Sequence, residues 1–153
     1  MSISEKLAAI VRQSDARTLR AFGEEMIIHL DGERTGGKLA MWTAITAPGG
    51  GPPPHYHLNE DETFRVLEGR VAFLVDGKWH EVGAGDAAFM PRGVVHTFKN
   101  VGDEPSRMLT MTTPSGFEKF FARCAEEFAK PEKPDMSRII EIGAEHGVHF
   151  VQE

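Results

Sequence analysis

One cysteine stands in 153 residues, so Cys124 has no internal partner and a disulfide framework is excluded. Excess positive charge is lacking too, since 23 acidic residues against 17 basic ones give a formal charge of -6. No broad basic face is then available for a phosphate backbone, and nucleic acid is not an expected partner. No apolar run approaches the ~20 residues that a membrane helix requires, and no membrane association is expected. Nothing at the start reads as a charged segment followed by an apolar one, the mark of a secretory leader. A soluble protein in a reducing, cytoplasmic setting is therefore the expectation. Internal repeats, low-complexity tracts and linkers long enough to divide domains are also missing, which leaves one domain with one core.

What is present is a series of short apolar runs separated by turn residues. From about Leu19 to Thr113 these include FGEEMIIHL, KLAMWTAITAP, TFRVLEG, RVAFLVDGKWHEV, VVHTFKN and SRMLTMTTP, with Asp76-Gly77 marking a tight hairpin. Many short strands at regular spacing predict an all-β sandwich or barrel over residues 19–113. Before it, residues 1–18 read as an arm or short helix, with Ser4 as N-cap and Leu7, Ile10 and Val11 at helical spacing. After it, residues 114–153 read as a helical extension of the same domain. Phe117, Phe120, Phe121, Cys124 and Phe128 fall on one side of a helix ending near Ala129, so that face must dock on something. PEKP then breaks the chain, Ser137 is placed to cap a second short helix, and Gly147 follows its end.

Chemistry concentrates in GGGPPPHYHLNEDETFRVLEG, from Gly49 to Gly69. The prolines favour extended chain, where His55 and His57 share a face. Glu62, five residues beyond His57, has the wrong parity for one uninterrupted strand, so LNED must bend or bulge to bring it back. Glu60 and Asp61 are alternative ligands in place of Glu62, and otherwise solvated turn residues. In the next strand Glu62, Phe64 and Val66 share the inward face. A second group lies in GDAAFMPRGVVHTFKN, where a Pro91-Arg92-Gly93 turn sends His96 back toward the first pair. Two histidines beside prolines are, alone, as readily a solvated loop; with Glu62 and His96 they make three nitrogens and one carboxylate. That set suits one divalent ion among Fe, Mn, Ni, Co and Zn, and leaves open positions on an ion taking five or six ligands.

Other chemistry-bearing residues have plainer readings. His29 reads as a partly buried strand histidine, His80 as exposed, His146 and His149 as part of the tail, and Arg92 as a solvated turn residue. Cys124 reads as a small buried hydrophobe. Phe64, Phe73, Met90 and Phe98 are candidates for an apolar substrate pocket, and for any one of them an ordinary core position is the plainer reading. RVAFLV is apolar on both faces, so it needs a second sheet on one side and a helix or another subunit on the other.

The spacing G-x5-H-x-H-x4-E-x6-G is met by Gly49, His55, His57, Glu62 and Gly69, and G-x5-P-x-G-x2-H-x3-N by Gly85, Pro91, Gly93, His96 and Asn100. At every one of these positions the chain resembles the two cupin motifs. The resemblance implies a double-stranded β-helix, or jelly-roll barrel, with short C-terminal helices packed outside and a metal held by His55, His57, Glu62 and His96. TTPSGFEKFF and the tail resemble further the small bacterial quercetin-dioxygenase-like cupins. That narrower likeness implies a dioxygenase-like oxidoreductase acting on a small aromatic or enolisable compound, with Glu62 also serving as base toward a substrate hydroxyl. Cupins are often dimers, so a homodimer is expected. Similar cupins are also isomerases, lyases and decarboxylases, and a non-catalytic binding or sensor cupin is the reading from a different class.

Overall fold

The structure, a computed structural model, describes residues 8–151. Its strands are β1 (Arg17–Ala21), β2 (Glu24–Leu30), β3 (Ala40–Thr46), β4 (His55–His57), β5 (Asp61–Glu68), β6 (Arg70–Val75), β7 (Lys78–Gly83), β8 (Ala87–Met90), β9 (His96–Asn100), β10 (Ser106–Thr113) and β11 (Val148–Phe150). They form a six-stranded sheet in the order β1-β2-β3-β10-β5-β8 and a five-stranded sheet in the order β11-β4-β9-β6-β7, all pairs antiparallel. This is the jelly roll expected from the strand-rich sequence. Asp76 and Gly77 connect β6 to β7 with φ of 53° and 73°, the two left-handed residues that suit a two-residue hairpin to the twist of its strands.

Alternation decides what each strand buries. Along β5, Glu62, Phe64 and Val66 are buried while Arg65 and Leu67 are exposed, as the period of two requires. Phe64, Val66 and Met108 of the six-stranded sheet meet Val71, Phe73 and Phe98 of the five-stranded sheet in one apolar cluster. The registers place Met26 opposite Ala44 and Ile28 opposite Trp42, so the β1–β3 half of the six-stranded sheet has its own apolar inner face. The five-stranded sheet reaches that half with Val148 and Phe150 of β11. Helix α2 (Phe117–Phe128) covers it as well, with Phe120, Phe121 and Cys124 in one cluster with Met26, Ile28 and Trp42, joined by Ile139 and Ile142 of α3 (Met136–Glu145). The C-terminal helices thus complete the core. A short helix, Gly32–Thr35, joins β2 to β3 with Asp31 capping its first turn.

Two local expectations change. Asp135, not Ser137, caps α3, because the helix begins at Met136 and the Asp135 carboxylate accepts the Ser137 N–H at 2.9 Å. Of the N-terminal helix, Ser4 and Leu7 lie outside the described residues; residues 8–12 are irregular and Gln13–Asp15 make one 3-10 turn before β1. Among the described residues, no helix is long and apolar enough to cross a membrane.

Candidate metal centre

His55 and His57 lie on β4, which Pro52, Pro53 and Pro54 deliver in extended form. Two bonds fix its place: Thr97 donates its hydroxyl to the Pro52 carbonyl, and the Gly93 N–H donates to the His57 carbonyl at 2.8 Å. His96 opens β9 directly opposite His55. Glu62 comes from the other sheet, paired with Met90 on β8 and Thr112 on β10. The parity conflict between His57 and Glu62 is resolved accordingly: LNED carries the chain from one sheet to the other, and no bulge within a single strand is needed.

All four residues are buried, and one ligand atom from each lies within 4.8 Å of the others. Their protons are placed by the neighbours. His55 Nδ1 faces the Pro53 carbonyl at 2.9 Å and His96 Nδ1 faces the Val94 carbonyl at 3.0 Å. A carbonyl only accepts, so each Nδ1 carries a proton, and Nε2 is the ring nitrogen turned to the interior. His57 Nδ1 lies 3.1 Å from Glu60 Oε1 in a third contact of the same sense. Glu62 Oε1 sits 3.0 Å from His96 Nε2 and 3.3 Å from His57 Nε2, yet His57 Nε2 is buried without a hydrogen bond. Three inward nitrogens, one of them orphaned, around one carboxylate oxygen fit a divalent cation.

The charges are coupled. Burial, reinforced by the neighbouring His96 and His57, pushes His55 down to about 3. Burial would lower His57 as well, but the Glu62 and Glu60 carboxylates overcome it and raise the ring to about 9. Burial would raise Glu62, and His57 and His96 hold it instead below the usual carboxylate range.

Glu60, read from sequence as a solvated turn residue, is buried against His57. The reason is α2. Its N-cap Gly116 has φ of 140°, and a side chain there would begin 2.9 Å from Glu60 Oε2. Glu118, also buried, accepts the N–H groups of Gly116 at 2.7 Å and Gly32 at 2.8 Å and so locks the helix start in place. Phe117 follows, its ring 5.1 Å from His57 and 5.4 Å from Trp42. Asp61, the other alternative ligand, accepts from Arg92 at 2.9 Å through the backbone and 3.2 Å through Nε, so Arg92, exposed at its turn, clamps a strand end.

The centre opens on a narrow cavity walled mostly by aromatic rings. Phe64 and Phe98 are among the residues that line it. Phe73 and Met90 are not; both are buried in the neighbouring apolar cluster, where cross-sheet packing claims them. Two polar residues on the wall were not singled out from sequence, Glu24 and Thr110. Glu24 had a signal, since it shares the parity of Met26 and Ile28 and so puts a carboxyl on an apolar face. Burial and the charge of Glu62 raise it to about 8. His29 bonds Thr43 Oγ1 at 2.7 Å, His80 is exposed, and His149 stacks on Tyr56. Cys124 is buried, and burial pushes its thiol up to about 12. The framing motif residues are structural: Gly49 N–H donates to the Asn100 carbonyl at 2.9 Å, and the Asn100 side chain donates to the Thr46 carbonyl, also at 2.9 Å.

The fold is a two-sheet jelly roll whose inner wall gathers three imidazoles and one carboxylate that could hold a metal ion. The Cupin domain family matches residues 42–112. Polyketide synthase CurC of Streptomyces cyaneus is 31% identical over 111 residues, which span 61% of this chain and 72% of that relative. An uncharacterized protein of Aquifex aeolicus is 40% identical over 62 residues, 40% of this chain, and the match spans only 50% of that relative's length. Among solved structures, a predicted oxalate decarboxylase from Thermotoga maritima aligns with a TM-score of 0.64 at 25% identity, over 69% of this chain and 99% of its own. Polyketide cyclase RemF from Streptomyces resistomycificus aligns with a TM-score of 0.59 at 25% identity, over 70% and 80%. The chain belongs to the cupin superfamily.

Proposed function

We propose that the protein is a metal-dependent enzyme acting on a small, planar, enolisable oxygen compound of aromatic or polyketide type. The observation that carries this reading is the buried set of three histidines and one carboxylate, with one ligand atom of each within 4.8 Å of the others, opening on a cavity walled by aromatic rings. A divalent ion held by His55, His57, Glu62 and His96 would supply Lewis acidity there and, for Fe, Mn, Ni or Co, redox chemistry as well. The rings of Trp42, Phe64, Phe98 and Phe117 hold a flat ligand and keep water out. Glu62 is the base: its Oε1 faces the histidines, and Oε2 makes no hydrogen bond among the described residues, so that oxygen is free to take a proton from a substrate hydroxyl or activated C–H.

Two reaction classes follow from such a deprotonated substrate. The first is dioxygenation with C–C cleavage, where both oxygen atoms enter the product and the substrate itself provides the electrons. The second is a redox-neutral aldol-type cyclisation, where the enolate carbon adds to a carbonyl of the same molecule and water leaves. The likeness to a polyketide cyclase and to polyketide synthase CurC supports the second. The reading includes self-association through the outer face of the five-stranded sheet, where Trp79 and Val95 are 49% and 41% exposed; sedimentation as a monomer removes that part.

The test is reconstitution with Fe, Mn, Ni, Co and Zn in turn, against flavonols, β-diketones and catechols, with oxygen uptake and products both followed. Uptake with the redox-active ions but not with Zn identifies an oxygenase, and anaerobic product with Zn identifies a cyclase or lyase. Either activity is expected to vanish in His96→Ala. Tight binding without product under any ion would instead make the protein a binding or sensor cupin.

A further inference from the structure

One carboxyl in the cavity is unused by the metal centre. Glu24, at the start of β2, is 8% exposed and lines the same cavity as His55, Glu62 and His96. The other buried acids are all engaged: Asp31 with Arg34, Glu60 with His57, Glu62 with His96, and Glu118 with two backbone N–H groups. Among the described residues Glu24 has no hydrogen-bond or ion-pair partner; only burial and the charge of Glu62 act on it. Buried polar groups are normally paired, and one left unpaired on the wall of a cavity is a docking point for a polar atom of a ligand. Thr110 provides a second such point, because its hydroxyl is buried, unpartnered and on the same wall.

Register separates this point from the metal ligands. Glu24 pairs with Thr46, which pairs with Ser106 at the start of β10, whereas Glu62 pairs with Thr112 near its end. A ligand that reaches both must carry its oxygen functions at separate positions on one skeleton. We propose that Glu24 is the distal anchor of the substrate pocket, donating a hydrogen bond to a carbonyl oxygen of a ligand whose other oxygens face His55, His57, Glu62 and His96. The inference rests on the proposed function and narrows its substrate class to planar compounds oxygenated at two separated sites. The carboxyl raised to about 8 is consistent with this, since at neutral pH it retains the proton it donates.

The test compares two catechols that share a chelating head, 4-acetylcatechol with its distal carbonyl and 4-ethylcatechol without it. Their affinities are measured by calorimetry on anaerobic, zinc-loaded wild type, Glu24→Gln and Glu24→Leu. Using the ratio of the two affinities cancels the difference in acidity between the heads. The preference for 4-acetylcatechol is expected to fall about tenfold in Glu24→Leu, one hydrogen bond's worth, and to stay within about threefold of wild type in Glu24→Gln, whose amide still donates. On wild type alone, the carboxylic acid C=O stretch assigned by its loss in Glu24→Gln is expected to shift with 4-acetylcatechol and not with 4-ethylcatechol, a readout that needs no stable leucine variant. An unchanged ratio in all three proteins, or a stretch unmoved by 4-acetylcatechol, overturns the anchor and leaves the proposed function standing. If neither catechol binds the wild type, both fall.

Discussion

The buried contact between Glu60 and His57 controls how firmly one ligand of the centre is oriented and how basic it is. Partners of this kind typically contribute 10–100-fold in metal affinity. Glu60→Gln, which keeps shape and an acceptor oxygen but removes the charge, is expected to weaken divalent-ion binding roughly tenfold. Competition against a chromophoric chelator measures it, and an unchanged affinity would remove the role given to Glu60. Glu24 makes a separate prediction through pH. Its folded value of about 8 lies above the ordinary 4.5, so between those values the unfolded chain releases a proton that the folded one retains. Stability contributed at this position therefore falls as pH rises from 4.5 to about 8 and is level on either side. The full difference is at most about 5 kcal/mol. Urea denaturation should show Glu24→Gln gaining on wild type from pH 5 to pH 8, and parallel profiles would contradict it. The cluster of four candidate ligands was legible because their spacing is local to two short stretches. Glu60 was not, because nothing in LNED indicates that Gly116, more than fifty residues later, closes over it.

At the level of elements, α2 is both a core helix and the lid over the candidate metal ligands. Gly116 is where the two roles meet, with φ of 140° and no space for a side chain beside Glu60. Gly116→Ala is expected to destabilise the fold by roughly 1–3 kcal/mol through backbone strain and to weaken metal binding by displacing Glu60. Denaturation and metal titration on one preparation read both effects, and a loss of stability with intact affinity would uncouple lid from site. The apolar stripe of α2, the Asp76-Gly77 hairpin and the alternation in β5 were readable, since each is set by residues a few positions apart. The passage of LNED between sheets was not. A strand that bulges and one that changes sheet leave the same parity signature, and only long-range pairing of β5 with β10 and of β4 with β9 separates them. Phe73 and Met90 show the same limit from the other side: both are buried, but whether a buried residue meets a cavity or a neighbour is decided by the opposite sheet.

For the molecule as a whole, the ligands divide between sheets, with His55, His57 and His96 on one and Glu62 on the other. An ion among them is a cross-tie, and at a hundred times its dissociation constant it adds about 2.7 kcal/mol to stability. Chelator should lower the melting temperature of metal-loaded protein by the corresponding amount, and metal should restore it; an unaltered transition would mean the four residues hold no ion. The tie also falls where the barrel is otherwise thinly sewn, since β4 meets β9 at the single pair His55 and His96. Removing the ion should then change the order in which the molecule comes apart. Amide hydrogens of β4 and the start of β9 are then expected to exchange first, while those of β2 and β3 keep their protection, so a bound ion would decide which seam of the barrel opens first.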